Sequence, residues 1–181
     1  MQNRSLHQRI WHIAWPMMAS NISIPLLGLV DTALLGHLES ALYLGAVAVG
    51  MSVITLFYWA FSFLRMGTTL FTAQHVGALE HSDQQIERSL AKIMAQSCLL
   101  GALCGLTLLT LGPLISPTLL QWMGAEPGAL ELAEEYIQIR LLAAPAVFIS
   151  YAITGWLIGS QQTRWALALV LTANSLNIVL D

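Results

Sequence analysis

Residues 90–114 read LAKIMAQSCLLGALCGLTLLTLGPL, and Lys92, near the start, is the one charged side chain in the run. At about 1.5 Å of rise per residue, such a run can cross the roughly 30 Å hydrocarbon core of a bilayer as one helix. Four more apolar segments flank it. They run from Ile10 to Gly36, from Leu42 to Val76, from Tyr136 to Ile158, and from Trp165 to Asp181, where the chain given is still apolar. The pattern predicts an all-α fold: a polytopic helical membrane bundle of about five transmembrane helices over residues 10–36, 42–76, 90–114, 136–158 and 165–181. Composition agrees, with 56% hydrophobic and 9% charged residues. Roughly 25% charged is usual in soluble domains. The net charge of −3 gives no basic excess that would attract nucleic acid.

The connectors are short and polar, so consecutive helices should lie antiparallel and adjacent. Residues 37–40 join the first pair and Leu79 to Glu87 the second. Ser116 to Glu135 join the third, with Pro117, Gly124, Pro127 and Gly128 read as breakers; Gly159 to Arg164 join the last. Arg4, Arg9, Arg88, Lys92 and Arg164 all fall on one side of this arrangement. Glu39, Glu126, Glu131, Glu134 and Glu135 fall on the other. The bias of basic residues predicts a cytoplasmic N-terminus. Arg140 dissents, and can snorkel or pair with Glu135. Arg4 and Arg9 resemble a signal peptide's basic start, but the apolar stretch after them is longer than an h-region of about 7–15 residues. It reads as a retained first span.

Within the spans, Cys98 and Cys104 stand six apart, on different faces of a helix, which argues for packing rather than a mutual disulfide. Gly101 and Gly105, like Gly155 and Gly159, have the small-xxx-small spacing that lets helices approach closely. Trp122 points to a short interfacial segment at the outer surface.

Charged groups inside a span are costly and therefore informative. Asp31 lies toward the outer half of the first segment, after Pro16 and Pro25, each of which should bend the helix. The plainer reading is that Asp31 marks the helix end near the headgroups. Asn174, Asn177 and Asp181 are spaced three and four apart, one polar stripe on an apolar helix. Asp31 and Asp181 should meet at similar depth. Two such carboxylates in low dielectric need a cation or a shared proton, the physical requirement for ion coupling. The alternative is a hydrogen-bonding stripe that serves packing alone. Arg65 reads as a structural partner of a carbonyl or an acid, His75 as a polar residue at a helix end, and His37 as solvated. No metal-ligand cluster, phosphate-binding glycine loop or nucleophile–base pair stands out, so neither direct use of ATP nor hydrolytic chemistry is indicated and no cofactor is expected. Asp181 would leave two carboxylates at membrane depth if the chain ended there, which reads as a fragment of a longer protein.

These residues resemble the multidrug and toxic compound extrusion (MATE) family, most closely its DinF-like branch. The likeness rests on Ala14-Trp15-Pro16 with Pro25-Leu26-Leu27-Gly28-Leu29-Val30-Asp31-Thr32-Ala33, on Arg65-Met66-Gly67-Thr68-Thr69 with Gln74 and Gly77, and on Asn174 through Asp181. It implies two six-helix lobes, with residues 1–181 as the amino-terminal lobe short of its sixth helix and the carboxy-terminal lobe as its missing partner. It also implies export of small organic, often cationic, compounds in exchange for protons or sodium ions across the bacterial inner membrane. Asp31, Asn177 and Asp181 would then line the site for a proton or a sodium ion, with Asn174 as a further neutral oxygen ligand and Pro16 as the bend. The competing readings are a lipid-linked oligosaccharide flippase of related architecture, which should carry a more cationic cavity, and a non-transporting membrane subunit.

Overall fold

Proline and glycine, more than hydropathy, decide where the helices begin and end. The computed structural model describes residues 7, 10–11, 14–19, 22, 41–77, 83–124 and 127–180, with the backbone alone at 41, 83–85, 127 and 177–180. From residue 41 onward the described chain forms helices α1 (Ala41–Ala60), α2 (Phe63–Gly77), α3 (Asp83–Trp122), α4 (Pro127–Leu142), α5 (Ala144–Gly159) and α6 (Thr163–Leu180). No strand occurs among the described residues. Leu42–Gly77 and Ile86–Trp122 are each long and apolar enough to cross a membrane. The pair Gly128–Leu142 and Ala144–Gly159, bent by 49°, makes a third span if taken as one. Most of the segment from Ile10 to Gly36 lies outside the described residues.

The third span is longer than its hydropathy indicates. Helix α3 starts at Asp83 rather than Leu90 and runs through Pro113 and Pro117 to Trp122 rather than stopping at Leu114. Each proline removes one backbone donor. One buried stripe holds the helix together across both of them: Gly101, Gly105, Leu108, Gly112, Ser116 and Leu120, spaced three and four apart. Gly124, at φ +69°, ends it in the left-handed conformation that glycine adopts without strain. Pro127 then opens α4, where a missing N–H costs nothing. The connector expected over Ser116 to Glu135 therefore shrinks to residues 123–126.

One span tightens inside its apolar run and another breaks. The second segment, expected as one helix from Leu42 to Val76, tightens at Phe61 and Ser62, where Ser62 N–H bonds Trp59 O at 3.0 Å and Arg65 N–H bonds Ser62 O at 3.1 Å. The segment expected from Tyr136 to Ile158 is instead α4 and α5, because Pro145 cannot donate to the Leu141 carbonyl. Ala143 N–H bonds Arg140 O at 3.2 Å instead, closing a tighter turn at the bend.

Helix α5 packs against both α2 and α3, and glycine sets both distances. A methyl group added at Gly101 would meet the Phe148 carbonyl oxygen at 2.8 Å, and one at Gly105 would overlap Pro145, with its nitrogen at 2.6 Å. On the other flank, the same addition at Gly155 would meet Arg65 O at 2.5 Å, and at Gly159 Thr69 O and Thr72 Cβ at 2.6 Å. The two small-xxx-small pairs are thus the two seams of the bundle. A third seam joins α1 to α4, where Gly50 lies under the Tyr136 ring and beside the Ala133 carbonyl. The core they enclose is built from Val53, Ile54, Phe57, Leu120, Ala133, Ile137, Leu141 and Phe148. Cys98 and Cys104 are both free and half-buried.

Helix α5 closes on Gln162 N–H to Leu157 O at 2.8 Å and Gln161 N–H to Ile158 O at 3.0 Å, the paired bonds of a Schellman motif. Its left-handed position is held by Gln161, at φ 61°, where a side chain costs about 1–2 kcal/mol. Gln161→Gly should raise the thermal midpoint of the protein in detergent micelles, and Gln161→Val should lower it. In the same assay Gly159→Leu should cost about 1–3 kcal/mol or more, because rigid backbone lies where the new side chain would go.

Candidate functional site

The polar stripe foreseen near the end of the chain begins on α6. The helical backbone through Leu180 puts Asn174 and Asn177 three residues apart, on one side of the helix. Asn174 is half-buried and has a polar or electrostatic partner. The Asn177 side chain lies outside the described residues, as do Asp31, Pro25, His37 and Asp181 in full. Pro16 is described: it is buried, within the helical residues 14–19. No group of three or more His, Cys, Asp or Glu able to hold a metal ion occurs among the described residues, and the two carboxylates foreseen as cation ligands are not among them.

A buried aromatic constellation sits where α1, α2 and α5 meet. Phe148 is fully buried on α5. The Tyr58 ring meets it edge-on at 5.7 Å, Phe61 lies 4.7 Å away, and Tyr151 lies 5.9 Å away. The tightened turn at residues 61–62 is what carries Phe61 onto Phe148. The Tyr58 hydroxyl donates to the Arg140 carbonyl oxygen at 3.2 Å, tying the first long span to the bend between α4 and α5. Arg65, half-buried, lies within electrostatic reach of Tyr151, and its carbonyl oxygen accepts the Thr69 hydroxyl at 2.8 Å. Trp156 Nε1 donates to Leu90 O at 3.0 Å, which cross-links α5 to α3.

A feature that sequence reasoning missed is an open cleft of about 570 Å³ between α2 and α3. His75, Lys92 and Gln96 line it, together with Phe63, Phe71 and Leu100. One signal for it was present: His75 and Lys92 flank the same connector on antiparallel helices, which places them at the same end of the pair. The His75 Nδ1 lies 2.9 Å from the Phe71 carbonyl oxygen, so that nitrogen is occupied within its own helix.

Taken together, these elements define a multi-pass helical membrane protein built on closely packed, bent spans. The MatE family model matches residues 16–181, and the chain belongs to that family. It is 41% identical over 177 residues to DNA damage-inducible protein F of Escherichia coli (strain K12), covering 98% of this chain and 37% of that protein. It is 31% identical to Protein DETOXIFICATION 44, chloroplastic, of Arabidopsis thaliana, over 95% of this chain and 34% of the relative. A probable multidrug resistance protein NorM of Caulobacter vibrioides is 27% identical, over 92% of this chain and 34% of its own length. A solved structure described as MATE in complex with MaD3S shares the fold, with a TM-score of 0.82 at 24% identity over 94% of this chain and 37% of that one. The chain thus spans about a third of the length of the relatives it matches.

Phe148 is the piece on which this constellation turns. Phe148→Ala should cost about 3–5 kcal/mol of stability by leaving a cavity between three helices. Reversible unfolding in mixed micelles measures it.

Proposed function

We propose that residues 1–181 form the amino-terminal lobe of a secondary antiporter, which exports small organic compounds in exchange for protons or sodium ions. The observation that carries this reading is the family match over residues 16–181, together with relatives named for multidrug resistance. The protein would sit in the bacterial inner membrane with its N-terminus cytoplasmic, as the basic residues Arg4, Arg9, Arg88, Lys92 and Arg164 favour. A carboxy-terminal lobe would complete the substrate pathway.

Asp31 and Asp181 are the coupling groups in this proposal. Asn177 and Asn174 supply neutral oxygens beside them. The coupling ion is cargo: a sodium ion takes carboxylate and amide oxygens directly, and a proton takes one carboxylate. Either neutralises a charge that would otherwise stand unpaired at membrane depth. Ion binding can drive a conformational cycle only through different affinities in its two states. The bends proposed at Pro16 and Pro25 would give the first span places to pivot. This arrangement fits alternating access, with the site near the membrane interior and the helices rocking around it.

In proteoliposomes holding the full-length protein, Asp31→Asn should abolish efflux driven by an imposed ion gradient while leaving helix content and thermal midpoint near wild type. Efflux at the wild-type rate would remove Asp31 from the coupling site.

A further inference from the structure

The cleft between α2 and α3 has a polarity gradient along its length. Phe63, Phe71 and His75 recur at spacings of eight and four on α2, so one face of that helix lines the cleft from end to end. Lys92, Gln96 and Leu100, each four apart, do the same on α3. The helices run in opposite directions from the connector at residues 78–82, so His75 and Lys92 share the end near that connector. Phe63 and Leu100 share the far end. The near end is therefore cationic and hydrogen-bonding, the far end apolar. From Phe63 to His75 the cleft follows twelve residues of helix, about 18 Å. One leaflet's share of the hydrocarbon core is about 15 Å. Lys92 is exposed, and the Phe63 and Phe71 rings are more than half exposed.

We propose that this cleft is a binding site for one anionic phospholipid. The headgroup phosphate sits against the Lys92 ammonium, with the Gln96 side-chain amide one turn further along α3 as a second donor. An acyl chain lies along Phe71, Phe63 and Leu100. Charge selects the occupant at one end and depth at the other. A free phosphate would use the Lys92 ammonium but leave the aromatic wall bare. A neutral lipid would fill the wall and leave Lys92 without a counter-charge. Basic pockets between spans are a recurrent way of holding anionic headgroups. This inference is independent of the export reading, since it needs neither substrate nor ion gradient.

The test is equilibrium binding of fluorescent phosphatidylglycerol, and of phosphatidylcholine with the same chains, to the full-length protein in neutral detergent micelles. The wild type should bind phosphatidylglycerol saturably and at least tenfold more tightly than phosphatidylcholine. Lys92→Gln should erase that preference. Leu100→Trp, which fills the apolar end without touching charge, should weaken both lipids. Unchanged thermal midpoints establish that the variants are folded. Equal binding of the two lipids by the wild type would overturn the proposal, as would a preference that survives loss of the Lys92 charge. Displacement of the lipid by millimolar inorganic phosphate alone would reassign the cleft to a free anion, and binding of neither lipid would also overturn the proposal.

Discussion

Backbone-to-backbone contact at four glycines is the interaction on which the rest of this bundle depends. In lipid the hydrophobic effect does not draw helices together, because the surroundings are as apolar as the side chains. What remains is dispersion at close range and hydrogen bonding across the seam. Gly101 and Gly105 let α3 rest on α5 at Phe148 and Pro145, and Gly155 and Gly159 let α5 rest on α2 at the Arg65 and Thr69 carbonyls. Helix α5 is thereby held from two sides. Thr72 packs its Cβ and methyl against Gly159, and its buried hydroxyl has no hydrogen-bond partner among the described residues, whereas Thr68 donates back to the Leu64 carbonyl.

The bends follow from the same seams. Pro145 breaks the span into α4 and α5, and it is also the residue under which Gly105 fits. The bend and the contact are one feature, so the angle between α4 and α5 is set where α3 touches them. Phe148 lies three residues further on and gathers Tyr58, Phe61 and Tyr151 around it. The bend is thus packed on the core of the lobe rather than left to pivot alone.

The class of fold and the packing glycines were legible because both depend on local spacing. A long apolar run means a span, and two glycines four apart mean a close approach. The ends of the third span were not legible. Pro113 and Pro117 carry a strong local signal to stop, and it is overridden by burial of Ser116 and Leu120 against helices distant in sequence. Pro145 erred in the opposite direction: it sits inside an apolar stretch, and hydropathy gives no weight to its missing donor. The cleft was invisible for a third reason. Lys92 was informative about orientation and His75 about a helix end, but their juxtaposition exists only once α2 and α3 lie side by side. Of the coupling site, the helical backbone beneath Asn174 and Asn177 is described, while Asp31 and Asp181 lie outside the described residues.

Family membership and the proposed site come together in one geometric requirement: that Asp31, from the first span, and Asp181, at the end of the polar stripe, face the same cavity. An experimental structure of the full-length protein tests this directly. The account predicts the two carboxylates on one cavity wall, within about 10 Å of each other, the range over which charges interact before salt screens them. Carboxylates on opposite faces of the lobe, with packed helix between them, would contradict it.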